Sequence, residues 1–131
     1  MKRTALVLSV LIGLFMLWGG LLHFLKPAFY LPFVPDFLPY RAALVLLSGA
    51  VGILLGIAVL FPRTRRLAGW GILALMVVFL PIHIWDVFRI HPAIGSHPAA
   101  LLRLPFQFLF ILWAWFVAKY SGPSTSYRRY S

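Results

Sequence analysis

Six polar side chains in an otherwise apolar chain have the types and spacings that could do chemistry. His83 and Asp86 lie three residues apart, on one face of a helix, where the carboxylate can accept a hydrogen bond from the imidazole and raise its basicity. Arg103 and Gln107 lie four residues apart and present a guanidinium and an amide together. The remaining two are His23 and Tyr30. Such groups suit binding of a polar head group and proton exchange with it.

Residue types that are absent from the sequence exclude several other chemistries. There is no cysteine, which excludes disulfides, thiolate metal sites and dithiol redox chemistry. The only acidic residues are Asp36 and Asp86, so two-carboxylate hydrolysis and proton transport through a buried glutamate are excluded. The histidines show no recognised metal-ligand spacing, and we expect neither a metal site nor haem.

The composition indicates which elements must position these groups. The 131 residues are 63% hydrophobic and 11% charged, against about 25% charged in an average soluble domain. A soluble fold could not bury this much apolar surface, so we expect the chain to fold in lipid. A bilayer core needs roughly 20 apolar residues of helix. Spans are predicted at about residues 5–25, 42–61, 67–85 and 98–118.

The sequence therefore predicts an all-α fold, an integral membrane four-helix bundle with antiparallel helices. One domain is expected over residues 1–120, followed by a disordered cytoplasmic tail over residues 121–131, which is rich in Ser, Tyr and Arg. The connection after the first span, residues 26–40, interleaves prolines with aromatic residues. Proline denies it a long helix and aromatic rings favour the membrane interface, so we expect an interfacial cap over the bundle.

Lysine and arginine are distributed unevenly between the two sides of the predicted membrane. One side has Lys2, Arg3, Arg63, Arg65, Arg66, Lys119, Arg128 and Arg129; the other has Lys26, Arg41, Arg89 and Arg103. This bias predicts a multi-pass membrane protein with both termini in the cytoplasm. Although the net charge is +10, these short clusters do not form the continuous basic face that nucleic acid requires. The lipid bilayer is the expected partner.

With this orientation, all the histidines and both aspartates fall on the outer half of the bundle. Ionisable groups at membrane depth tend to face a bundle interior or a water-filled cavity. We therefore predict an outward-facing ligand pocket formed by His23, Tyr30, His83, Asp86, Arg103 and Gln107. Two alternatives remain for Arg103: an inward salt bridge with Asp86, or snorkelling towards the lipid head groups.

Small residues recur at helical spacing in the first two spans. They are Gly13 and Gly20 in the first span, and Ser48, Gly52 and Gly56 in the second. Small residues let helix backbones approach closely, so we interpret them as helix-packing positions within one chain. A homodimer interface is the alternative.

The order of several short motifs resembles the DoxX-like family of small four-helix bacterial membrane proteins. The matching residues are His23-Phe24 with Pro27 and Tyr30, Leu38-Pro39, Leu47-Ser48-Gly49, the segment 62–68, Phe79-Leu80-Pro81, and the segment 103–107 with Trp113. Two positions depart from the family pattern. Gly52 stands where the family often has glutamate, and His83 stands where it often has asparagine.

The resemblance implies a location in the bacterial plasma (inner) membrane. It also implies a role near membrane redox or stress-defence systems, because some relatives are similar to a subunit of thiosulfate:quinone oxidoreductase. We expect an accessory or ligand-binding protein whose pocket holds a quinone- or lipid-like molecule. Its partner would be a membrane or extracytoplasmic oxidoreductase, and quinone is the one cofactor to consider. We expect no catalysis by the chain alone, since no nucleophile or electron-storing group is present. The alternative is a small-solute transporter or channel.

Overall fold

The computed structural model describes residues 2–121, which contain helices, turns and irregular segments but no strand. The helices are α1 (Lys2–Leu25), α2 (Pro27–Tyr30), α3 (Arg41–Leu60), α4 (Arg65–Phe88) and α5 (His97–Tyr120), with a 3-10 turn at Leu31–Phe33. The helices α1, α3, α4 and α5 are each long and apolar enough to cross a membrane. The predicted spans agree with them to within three residues at every end. These helices indicate a multi-pass membrane protein; the tail predicted beyond Ser121 lies outside the described residues.

Local sequence explains where the helices begin and end. At the start of α5, the Ser96 hydroxyl accepts a hydrogen bond from the Ala99 amide at 3.2 Å, and Pro98 occupies the first turn, where no intrahelical donor is needed. At the end of α3, Arg65 donates to the carbonyls of Val59 and Leu60 at 2.9 and 2.8 Å. These carbonyls belong to the last turn of a helix, which lacks intrahelical donors. Arg65 therefore supplies donors to the end of α3 and stabilises the turn between α3 and α4.

Helices α1 and α3 pack backbone against backbone through glycine. A Cβ atom built on Gly20 would lie 2.7 Å from the Gly49 carbonyl oxygen, and one built on Gly56 would lie 3.0 Å from the Gly13 carbonyl oxygen. The pairs 13 with 56 and 20 with 49 follow one helix forwards and the other backwards. Gly52 lies on the same face of α3, with ordinary contact distances to Gly20 and Met16. Of the predicted packing set, Gly20, Ser48 and Gly52 also line the cavity described below.

Helices α4 and α5 form a second close pair. A Cβ atom on Gly69 would lie 2.9 Å from the Ala118 backbone, and the Gln107 amide bonds to Met76 at a second level of the same contact. The two pairs are joined by smaller contacts, one between α3 and α4 and another between α1 and α5. There the Trp113 indole donates to the Leu8 carbonyl at 3.0 Å. The core of buried side chains lies where these helices meet, around Ile12, Val59 and Ile72.

The outer faces of the long helices are apolar and exposed. Leu54, Leu67 and Leu102 are each more than 60% exposed. Water would not favour so much aliphatic surface, whereas lipid tails do. The inside of this protein is therefore the place to look for polar function.

Candidate functional site

A cavity of about 440 Å³ lies among the long helices and beneath the connection 26–40. Every described helix contributes to its wall. Most of the lining is apolar or aromatic: Phe15, Met16, Phe29, Phe33, Val34, Pro35, Leu38, Leu44, Val45, Leu75, Met76, Val78, Phe79, Ile82, Ile94 and Phe110. The polar side chains of the lining are His23, Tyr30, Ser48, His83 and Arg103. A mainly apolar cavity with a few polar groups is typical of a small-molecule site.

His23 and Tyr30 form one polar corner of the cavity. Their rings stack with centroids 3.8 Å apart and planes inclined by 15°. The Nδ1 atom of His23 lies 2.7 Å from the Gly19 carbonyl oxygen, four residues earlier in α1. A carbonyl oxygen can only accept, so Nδ1 carries the proton, and the Nε2 atom of the neutral ring keeps a lone pair. His23 can therefore accept a hydrogen bond or a proton at Nε2.

Tyr30 supplies a phenol that stays protonated. Burial raises its pKa above the ordinary value of 10, because the charged phenolate loses hydration there. At neutral pH the hydroxyl is therefore both a donor and an acceptor. Phe29 packs edge-on against Tyr30, with ring centroids 5.1 Å apart.

Arg103 and His83 lie in the cavity wall on α5 and α4. The Arg103 guanidinium carbon lies 5.2 Å from the centroid of the Phe110 ring. Its Nη1 atom is buried and has no hydrogen-bond partner among residues 2–121. The structure thus places Arg103 at the cavity rather than in the salt bridge with Asp86 that we considered. The His83 ring meets the Phe33 ring at a centroid distance of 6.0 Å.

The Asp86 side chain binds the backbone of the connection 89–96 and is not part of the cavity lining. It is 2% exposed, and its carboxylate accepts hydrogen bonds from the amides of Ala93 and Ile94 at 2.5 and 3.3 Å. Arg89 lies 3.6 Å away as its ion-pair partner. In the part of the chain that the structure describes, no hydrogen bond joins Asp86 to His83, contrary to our expectation from their spacing. The reason is that α4 continues to Phe88 and the chain then turns back over the carboxylate, offering it free backbone donors.

Gln107 also lies outside the cavity lining. It is fully buried, and its Nε2 atom donates to the Met76 carbonyl oxygen in α4 at 2.7 Å. Met76 immediately precedes Val77, whose carbonyl loses its usual helical donor because residue 81 is proline. Gln107 therefore links α5 to α4 by a hydrogen bond, close to the point where Pro81 interrupts the helical hydrogen bonds of α4. The spacing of Arg103 and Gln107 did not predict that one would line the cavity and the other would not.

Two arginines that the sequence analysis did not select hold the cover of the cavity. Arg41 donates through Nη2 to the carbonyls of Leu31 and Val34 at 2.8 and 2.9 Å. Arg89 donates to the Pro32 carbonyl at 2.7 Å and so joins the connections 26–40 and 89–96. The available signal was the abundance of proline, because segments without regular hydrogen bonds leave carbonyls that need donors.

In the part of the chain that the structure describes, the cavity wall has one permanent positive charge and no acidic side chain. Among residues 2–121, no group of three or more His, Asp or Glu side chains lies close enough to hold a metal ion. The groups at hand can donate, accept and exchange protons with an organic molecule.

Comparison with known protein families identifies the family of this chain. The model of the domain of unknown function DUF8561 matches residues 11–118. The chain belongs to this family. The DUF8561 match includes both cavity connections and every polar residue of the cavity wall. No curated protein and no solved structure matches the chain.

Proposed function

We propose that this DUF8561 protein binds a small amphipathic molecule, quinone- or lipid-like, in the cavity between its membrane helices. The observation that carries the proposal is the lining itself. About 440 Å³ of mainly aromatic and aliphatic wall is interrupted by a few polar groups: His23, Tyr30, Ser48, His83 and Arg103. Apolar walls hold a ring or an alkyl chain, and a few polar groups fix its orientation.

Different polar groups of the cavity wall can bind different atoms of the ligand. Arg103 and Tyr30 can donate to carbonyl or hydroxyl oxygens of the ligand, and the free nitrogen of His23 can accept from a hydroxyl. No group in the cavity wall stores electrons. Oxidation or reduction of a bound quinone would therefore need a partner oxidoreductase, with this chain as an accessory component. The resemblance to DoxX-like proteins supports that role.

We further propose that the four long helices form an antiparallel bundle in a bacterial plasma membrane, with both termini in the cytoplasm. The reversed order of contacts between α1 and α3 supports the antiparallel arrangement. The excess of Lys and Arg on the side of the termini supports the orientation. With this orientation the cavity faces the outside, and the connections 26–40 and 89–96 cover it on that side.

Binding can be tested by native mass spectrometry of protein purified in a mild neutral detergent. We expect an adduct of one small amphiphile per chain, and saturable binding of a short-chain ubiquinone analogue or a short-chain lipid. Replacing one polar group of the cavity wall by an apolar one, in His83→Leu, should weaken binding. The control is Leu109→Met, because Leu109 is 56% exposed on the outside of α5. Absence of both a native adduct and saturable binding would contradict the proposal.

A further inference from the structure

Both acidic side chains of this chain have arginine partners away from the cavity. Asp36 is an exposed residue of the connection 26–40 and lies 3.4 Å from Arg41. Asp86 is held by the amides of residues 93 and 94 and by Arg89. The sequence contains no third Asp or Glu. No acidic side chain is therefore left to neutralise Arg103.

Among the residues that the structure describes, Arg103 is the one permanent charge in the cavity wall. Arginine keeps its proton under physiological conditions, so its charge cannot be removed by deprotonation. One of its terminal nitrogens is buried without a partner among residues 2–121, and the Phe110 ring centroid lies 5.2 Å from its guanidinium carbon. A guanidinium in an apolar wall is costly unless an anion accompanies it.

We infer that the cavity's ligand is an anionic amphiphile, with a carboxylate or phosphate head beside Arg103 and an apolar tail among the aromatic and aliphatic side chains. This inference rests on the proposed function and narrows it. A neutral quinone carbonyl could accept one hydrogen bond but would leave the guanidinium charge uncompensated. A carboxylate or phosphate pairs with the guanidinium fork through parallel charge-assisted hydrogen bonds, which are about twice as strong as neutral ones.

Matched amphiphiles with one tail and different heads test the inference. Dodecanoate, dodecyl phosphate, dodecanol and methyl dodecanoate are titrated by native mass spectrometry against the full chain in neutral detergent. A charge-assisted contact predicts that at least one anion binds roughly ten- to a hundredfold more tightly than dodecanol and the methyl ester. Whether carboxylate or phosphate binds more tightly distinguishes a fatty-acid-like from a phospholipid-like source.

Variants connect the preference to this residue. Arg103→Gln should abolish the preference for anions while leaving weak binding of dodecanol, and Arg103→Lys should restore part of it. Arg63→Gln is the charge-matched control, because Arg63 is exposed in the turn between α3 and α4. Equal binding of all four amphiphiles, or an anion preference that survives in Arg103→Gln, would overturn the inference and leave the proposed function standing. If none of them binds, and quinone does not bind either, the proposed function fails as well.

Discussion

The imidazole of His23 lies flat on the phenol ring of Tyr30, with ring centroids 3.8 Å apart. His23 belongs to the last turn of α1, and Tyr30 ends the short helix α2. The stack therefore fixes the direction in which the chain leaves the first long helix. Several apolar side chains that follow α2 line the cavity, whereas Phe37 is 84% exposed; the lining residues are Phe33, Val34, Pro35 and Leu38.

Burial of Tyr30 gives a pH-dependent prediction. Since its folded-state pKa is raised above 10, the folded protein holds this proton more tightly than the unfolded protein. The stabilisation is complete below pH 10 and is lost as the pH rises through the folded-state pKa. The free energy of unfolding should fall less at alkaline pH in Tyr30→Phe than in the parent.

The phenolate absorbance gives a direct check. The titration of the parent minus that of Tyr30→Phe should have its midpoint above pH 10 in the folded protein and a lower midpoint in denaturant. A folded-state midpoint at or below that of the denatured protein would show that the ring is more hydrated than the structure indicates.

The glycine contact between α1 and α3 predicts opposite effects at neighbouring positions. Gly20→Ala should destabilise the protein by about 1–3 kcal/mol, because the new methyl group would meet the Gly49 backbone, which cannot rotate away. Gly19→Ala is the matched control. Its methyl group would have no atom within 4 Å, and alanine is favoured over glycine in a helix by up to about 1 kcal/mol. Denaturant unfolding in detergent measures both; equal effects would contradict the close contact.

The buried bond from Gln107 to Met76 predicts an order of stabilities. Gln107→Met keeps the volume and removes one hydrogen bond, which costs about 0.6–1.5 kcal/mol, offset in part by loss of the unpartnered Oε1 atom. Gln107→Glu should cost more, because a carboxylate buries a charge and cannot donate to the carbonyl. The control is again the exposed Leu109→Met. If the methionine variant unfolds as easily as the glutamate variant, the amide is not the donor.

Asp86 should control the order of the connection 89–96. In Asp86→Ala the amides of Ala93 and Ile94 lose their acceptor. Leaving a buried donor unpaired costs about 1–3 kcal/mol, so hydrogen exchange in this segment should accelerate roughly ten- to a hundredfold. Asp36→Ala is the control, because its side chain is 91% exposed. Unchanged exchange in Asp86→Ala would remove the aspartate from this role.

The proposed orientation can be tested because the chain has no cysteine. Single cysteines replace His91 and Arg63, which are exposed in different connections. An impermeant maleimide added to intact cells should label His91→Cys and should label Arg63→Cys only after the cells are broken. The reverse pattern would invert the orientation and turn the cavity towards the cytoplasm.

The positions of the four long helices could be predicted from the sequence because the length of each apolar stretch determines where a membrane-spanning helix can form. The ends of all four spans agree with the structure to within three residues, even in the last span, which contains Arg103 and Pro105. The proline-rich connection also has only short helical turns, as proline requires.

The pairing of polar groups could not be predicted from spacing. A spacing of three placed His83 and Asp86 on one helical face, yet the aspartate binds backbone amides that only the fold brings close. A spacing of four placed Arg103 beside Gln107, yet a small rotation about α5 separates the cavity from the contact with α4. Side-chain partners depend on which neighbouring backbone lacks a donor or an acceptor, and the periodicity of one helix does not contain that information.

Glycine allows close backbone contact within the pair α1 with α3 and within the pair α4 with α5, whereas the contacts between the pairs are sparser. We therefore expect a molecule that enters or leaves the cavity to pass between the two pairs. The hydrogen bond from Trp113 to Leu8 is one of the contacts between the pairs. The hydrogen bonds of Arg41 and Arg89 hold the connection 26–40 over the same space.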